Sequence, residues 1–154
     1  MIDIRKKLKL NLEDSIKSKN QIAVATIRLI LAALKDRDIE NRTKNKEGEI
    51  SDTEIFILLQ SMIKQRKDSK KIYDEAGRRE LGQREENEIS VISEFLPKQM
   101  DDKDINKILN ALIEEIEANS IKDLGKIMQL VKERYPGQLD MKKAADIGKS
   151  ILTQ

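Results

Sequence analysis

Gly148-Lys149-Ser150, the carboxylates Glu85, Glu86 and Glu88, and the basic run from Lys64 to Lys71 are the stretches whose residue types and spacing could do chemistry. The first has the form of the end of a phosphate-binding loop, in which successive backbone N–H groups cradle a phosphate and a lysine reaches its oxygens. Such a loop needs a glycine five residues before Gly148, where this chain has Lys143, and no strand pattern precedes it. Gly148 therefore reads as a close-packing position in a last helix. Glu85 and Glu88, three residues apart, share one helical face, where they could hold a hard cation or pair as acid and base. Carboxylates on a helix surface facing nearby lysines have a simpler role as a solvated face, so no metal is expected.

The basic run carries more information. At about 100° per residue, Lys64, Lys67 and Lys71 fall opposite Ile55 and Met62, on a face that should meet water and could touch phosphates or simply solvate the helix. Arg66 and Tyr73 fall on the apolar side. A guanidinium there needs a partner, because an unpaired buried charge costs roughly 3–5 kcal/mol. Either Arg66 clamps a carboxylate such as Glu85 or Glu88 on the next helix, or it lines a site for an external anion.

Composition narrows the rest. Of 154 residues, 38% are hydrophobic and 38% charged, four are aromatic, and there is no His, Cys or Trp. The chain therefore has no imidazole base, thiolate nucleophile or disulfide, and no zinc site of the usual nitrogen and sulfur ligands. Acid and base work would fall to Asp, Glu, Lys or Tyr. No cofactor is implied. Thirty basic and 28 acidic residues give a net charge of +2, which is not the charge of a chain that coats nucleic acid. Local blocks are biased: Lys64 to Arg84 holds eight basic and four acidic residues, and Asp101 to Glu117 two and six. The N-terminus, Met-Ile-Asp-Ile-Arg-Lys-Lys, lacks a secretory apolar stretch, and Thr26 and Arg28 interrupt the longest apolar run. A cytoplasmic protein without membrane association is expected.

The elements that must position these residues are helices, since apolar residues recur at three and four and the six glycines and two prolines fall mostly between the stretches. The fold class is all-α, with an N-terminal unit of about four helices over residues 1–96 and a small three-helix unit over 97–154. The first helix, striped by Ile4, Leu8, Leu12 and Ile16, should end near Lys19. The second is capped by Asn20 and carries Val24, Ile27, Leu31 and Leu34 on one face, with Ile22 and Leu29 on the other, as a central helix would. A polar loop follows from Asn41 to Glu49. Ser51 and Glu54 have capping-box spacing at the start of the third helix, which Gly77 ends. The fourth runs from about Arg79 to Leu96 and stops before Pro97. Asp101, Ser120 and Asp140 should cap the last three helices. A unit of fewer than 60 residues is marginal alone and should lean on its neighbour or on a partner.

Several segments then carry a family resemblance: Ala25-Thr26-Ile27-Arg28-Leu29, Lys64-Gln65-Arg66-Lys67-Asp68-Ser69, Tyr73 with Ala76-Gly77-Arg78 and Leu81, Glu85 with Glu88-Ile89, and Phe95-Leu96-Pro97-Lys98-Gln99-Met100. Their order and spacing resemble the GatB/YqeY family, specifically its stand-alone YqeY-like proteins. The likeness continues through Lys122-Asp123-Leu124-Gly125-Lys126-Ile127-Met128 and Gly137 with Asp140, and Leu139 stands where the family usually has alanine. The resemblance implies an all-helical protein whose second unit is similar to the tail of the B subunit of glutamine-dependent tRNA amidotransferases, a domain that helps hold tRNA. It also brings the family-level label of carbon-nitrogen ligase with glutamine as amido-N-donor. The residues of this chain do not supply that chemistry: there is no thiol, no serine-lysine amidase pattern and no ATP loop.

The expected role is a tRNA- or RNA-associated accessory protein without an active site of its own. The RNA-binding candidates are Lys122, Lys126, Lys142 and Lys143 near two helix starts, and Lys64, Lys67 and Lys71 in the first unit. Arg66, Arg28, Tyr73, Glu85 and Glu88 are structural or anion-site candidates. The alternative is a protein-interaction module that docks on an enzyme or ribonucleoprotein through the acidic face of Asp101 to Glu117 or an exposed aliphatic stripe.

Overall fold

The computed structural model describes residues 3–44 and 48–154, and every regular element among them is helical. Residues 1–96 and 97–154 form two compact units. The first contains α1 (Ile4–Lys17), α2 (Gln21–Thr43), α3 (Asp52–Glu75) and α4 (Arg79–Ser93). The second contains α5 (Asp102–Glu115), a short 3-10 turn over Ile121–Asp123, α6 (Leu124–Arg134) and α7 (Met141–Leu152).

Local side chains fix most helix starts. Asn20 accepts from the Ala23 N–H, Ser51 and Glu54 close a reciprocal capping box, Asp101 and Asp104 close another, and Asp140 accepts from Lys142 and Lys143. At the end of α3, Gly77 adopts φ +74° and the Arg78 N–H returns to the Tyr73 carbonyl at 2.8 Å, so the chain reverses without a Cβ clash.

Helix ends depart from the sequence expectation where no such residue stands. Helix α1 stops at Lys17, and Lys19 takes the left-handed conformation (φ +59°) that a glycine would favour. Helix α2 runs on to Thr43, past the expected start of the loop at Asn41, because no Gly or Pro interrupts it; residues 45–47 of that loop lie outside the described residues. Helix α4 ends at Ser93 rather than Leu96. Its last N–H groups, those of Glu94, Phe95 and Leu96, bond three residues back, as befits a chain that Pro97 is about to turn out of helix. Ser120 opens the 3-10 turn instead of a full α-helix.

The first core is aliphatic. Ile4 and Leu8 of α1, Ile27, Ile30 and Leu34 of α2, and Ile55, Leu59 and Met62 of α3 meet Ile92 of α4 and Phe95. The expected α1 stripe is only partly buried, since Ile16 is exposed. The expectation that both faces of α2 are packed fails in the same way: Ile22 and Leu29 are exposed, because α1, α3 and α4 all gather on the side of Ile27 and Ile30. The second unit packs Ile105, Leu109 and Leu112 of α5 with Ile127 and Val131 of α6, Ala144 of α7, and Leu139. Leu139, the departure from the family pattern, is thus a core residue. Gly148 lies in the middle of α7 with its Cα facing Leu124, where an added Cβ would stand 3.0 Å from the leucine Cδ1. Its N–H belongs to a continuous helix and cannot cradle a phosphate.

Candidate functional site

Helix α3 presents Lys64, Lys67 and Lys71 to solvent and turns Arg66 and Tyr73 partly inward. The Arg66 Nε donates to Glu88 Oε2 of α4 at 3.1 Å, and Nη1 donates to the Met62 carbonyl at 3.1 Å. The side chains retain 14% and 17% exposure. Of the two open readings, the geometry is that of the clamp, with Glu88 rather than Glu85 as partner. The contact is a single bond to the carboxylate, with one edge reaching water, and so is weaker than a fully buried fork. Arg28 is on the far side of α2 from the core, exposed, beside Ile16, Lys19 and Val24 at the rim of a groove.

The first unit holds a second, more complete clamp that the sequence reading did not single out. Arg5 of α1 forks onto Asp38 of α2 at 2.8 and 2.9 Å and also donates to the Ile50 carbonyl at 3.1 Å. Asp38 in turn accepts from the Ile50 N–H at 3.0 Å. Three segments meet on one buried carboxylate. The Arg5 hydrogen bonds, with help from the Ile50 N–H, hold the Asp38 carboxyl below its ordinary value of 3.8 against the opposing effect of burial. Asp38 lies 33 residues from Arg5 and inside a helix, so no local signal marks it.

In the second unit, Lys122 sits in the 3-10 turn, Lys126 in the first turn of α6, and Lys142 and Lys143 in the first turn of α7; all four are exposed. The N–H groups at these helix starts are largely spent within the chain. Asp140 Oδ1 already takes the Lys142 and Lys143 N–H groups at 2.9 and 3.3 Å, and the turn uses the Asp123 and Leu124 N–H groups on the Ser120 and Ile121 carbonyls. A capping carboxylate places negative charge where a phosphate would go, so any attraction comes from the lysine ammonium groups. Lys143 is itself tied to Asp102 of α5, which raises its pKa. The acidic block is similarly engaged: Asp101 and Asp104 cap α5, and Glu115 receives a fork from Arg134 at 2.6 and 2.9 Å.

A shallow cleft of about 470 Å³ in this unit is lined by Lys98, Met100, Lys107, Ile108, Tyr135 and Gln138, among others. Its edge is built by the residues after Pro97: Gln99 Nε2 donates to the Pro97 and Gly137 carbonyls, and the Met100 N–H donates to the Gln138 carbonyl at 2.7 Å. Two ammonium groups, one half-buried phenol ring and an apolar floor converge there, with Asp104 at the rim. The three-and-four spacing of Asp104, Lys107, Ile108 and Ala111 on one face of α5 was a readable signal for it. Among the described residues no cluster of acidic side chains is arranged to hold a metal ion, and no helix is long and apolar enough to cross a membrane.

Against known proteins, the family described as Yqey-like protein matches residues 5–152, nearly the whole chain. The chain belongs to the YqeY-like family. Among curated relatives, it is 29% identical over 124 residues to altered inheritance of mitochondria protein 41 of Vanderwaltozyma polyspora, covering 76% of this chain and 64% of that protein. It is also 29% identical over 114 residues to the Clavispora lusitaniae protein of the same name, covering 73% and 64%. An uncharacterized protein of Schizosaccharomyces pombe is 30% identical over 95 residues, covering 62% and 70%. The chain thus spans just under two thirds of the length of the first two relatives, whose names place those proteins in mitochondria. The matched region runs from Arg5 of the clamp to Leu152 at the end of α7.

Proposed function

We propose that this YqeY-like protein is a tRNA- or RNA-associated helical accessory protein, related to the glutamine-dependent tRNA amidotransferases through the tail of their B subunit and not through their chemistry. The observation that carries the reading is the set of exposed ammonium groups on the small second unit, Lys122, Lys126 and Lys142 on its turns and Lys98 and Lys107 beside Tyr135. Phosphates suit the lysines, and one unstacked base suits a single phenol ring over an apolar floor. With no thiol and no serine-lysine amidase pattern in the sequence, a carbon-nitrogen ligase role would be a contribution to substrate holding within a larger assembly.

Binding of labelled tRNA to the full chain, measured between about 50 and 200 mM salt, tests this. Reversing Lys122, Lys126 and Lys142 to Glu should weaken binding more than reversing Lys64, Lys67 and Lys71, and should flatten the salt slope by about one per lost phosphate contact. Lys143 is left unchanged in this set because a glutamate there would face Asp102. Equal losses from the two sets, or none from the second-unit set, would refute the assignment. Turnover of glutamine, ATP and mischarged tRNA by the chain alone would refute the accessory role.

A further inference from the structure

Helix α2 carries a second apolar face that the fold leaves exposed, bordered at its Ile22 and Ala25 end by Glu80, Arg84 and Glu88 of α4. Ile22, Ala25, Leu29, Ala32, Asp36 and Ile39 follow one another at alternating steps of three and four, the spacing of a coiled-coil seam, and all six are exposed, with Ile22 at 46%, Leu29 at 49% and Ile39 at 48%. The buried residues Ala23, Ile27, Ile30 and Leu34 point the opposite way. Large residues alternate with alanines from Ile22 to Ala32, and Asp36 then stands in the seam before Ile39.

The charges beside the seam identify what can cover it. Along one edge run Arg28, Lys35 and Arg42 at seven-residue intervals, all exposed. Next to Ala25 and Arg28 a groove of about 470 Å³ opens between α1 and α2, apolar at Ile16 and Val24 and rimmed by Lys19 and Arg28. A second copy of this chain fits poorly. A parallel pair would set Asp36 against its own counterpart inside the seam, and an antiparallel pair would align Arg28 with the Lys35 of the other copy along the edge. A helix with apolar residues at the seam and Glu or Asp beside them avoids both conflicts. We propose that the outer face of α2 is the docking site of an acidic amphipathic helix from a protein partner. The groove at Ile16 and Val24 receives one of the partner's apolar side chains, while Arg28, Lys35 and Arg42 pair with its carboxylates. The proposal rests on α2 and α1 alone and is independent of whether the second unit binds RNA.

Two designed helical peptides of about 21 residues test it, each with Leu and Ile at seam positions, one flanked by Glu and the other by Lys, with binding to the full chain read by fluorescence anisotropy. The Glu-flanked peptide should bind at least tenfold more tightly than the Lys-flanked one. Leu29→Glu should weaken it at least tenfold, and Arg28→Glu with Lys35→Glu should reverse the preference between the peptides. These positions are exposed, so circular dichroism should show all variants folded. Equal binding of the two peptides, or binding of neither, would overturn the proposal. So would concentration-dependent self-association that Leu29→Glu abolishes, which would assign the seam to a second copy, or loss of tRNA binding in the Leu29→Glu variant, which would assign it to RNA.

Discussion

Removing the carboxylate of Asp38 is the sharpest perturbation of the first unit. Asp38→Ala leaves the Arg5 guanidinium, 20% exposed, without its fork and leaves the Ile50 N–H without an acceptor. Breaking a buried ion pair costs roughly 3–5 kcal/mol and orphaning a buried N–H roughly 1–3. Both figures must be reduced, because Arg5 can turn its exposed edge to water and keeps a longer contact, 3.4 Å, with Glu49. The net expectation is about 3 kcal/mol, against about 2 kcal/mol for Arg5→Ala, in which Asp38 still accepts from Ile50. In a unit of this size each kcal/mol lowers the melting midpoint by roughly 4–8 °C. The sign of the pH dependence follows from the lowered carboxyl. Its stabilising contribution is fully present above the ordinary value of 3.8 and is lost as the pH falls through the lower folded value, since the unfolded chain binds the extra proton first. Urea unfolding with hydrogen exchange of α1 amides as the local readout, at pH 7 and at steps below about 4, measures both quantities. The stability gap between wild type and Asp38→Asn should be constant at neutral pH and shrink only below about pH 4. A cost under about 1 kcal/mol for Asp38→Ala, or a gap that does not close in acid, would refute the reasoning.

Arg66→Ala should cost less, about 1–2 kcal/mol in the same assay, because Glu88 keeps an edge in water and the arginine makes one bond to it rather than two; a Met62 carbonyl contact is lost with it, so Arg66→Lys should recover only part. Gly148→Leu should selectively unfold the second unit, because a side chain there meets Leu124 and Leu109; exchange protection lost in α5 to α7 and kept in α1 to α4 is the expected pattern. Lys19→Gly should stabilise the first unit by about 0.5–1 kcal/mol by relieving a left-handed residue, which a urea midpoint shift would register.

Where a structural feature is written in residues close together, the sequence carried it. The capping box at Ser51 and Glu54, the asparagine at the head of α2 and the glycine after α3 each rest on contacts within a few residues, and each was legible. Arg66 was legible for a related reason: periodicity put it on the inner face of α3, and an inward guanidinium needs a carboxylate, of which the next helix offers two in register. The Arg5 and Asp38 pair gave no such sign, because Arg5 sits among Lys6 and Lys7 and Asp38 among Asp36 and Arg37. Only the crossing of α1 and α2 selects one acid and one base from those runs. At the start of α7, Asp140, the residue readable as its cap, also spends the Lys142 and Lys143 N–H groups that a phosphate would use.

Helix α2 shows where local reading stops. Two apolar faces on one helix predict that both are covered, and a single chain can satisfy that prediction with its own helices or with another molecule. Here α1, α3 and α4 converge on the face of Ile27 and Ile30, the face that includes a buried Thr26 whose hydroxyl is satisfied by the Ile22 carbonyl at 2.7 Å. That hydroxyl can be buried because its bond lies within the helix and asks nothing of a neighbour. The face of Ile22, Leu29 and Ile39 has no buried polar group to satisfy but carries Asp36 in its seam and three cations along its edge. A helix from the same chain packed there would have to answer those charges. Carboxylates that a partner helix places beside Arg28, Lys35 and Arg42 answer them.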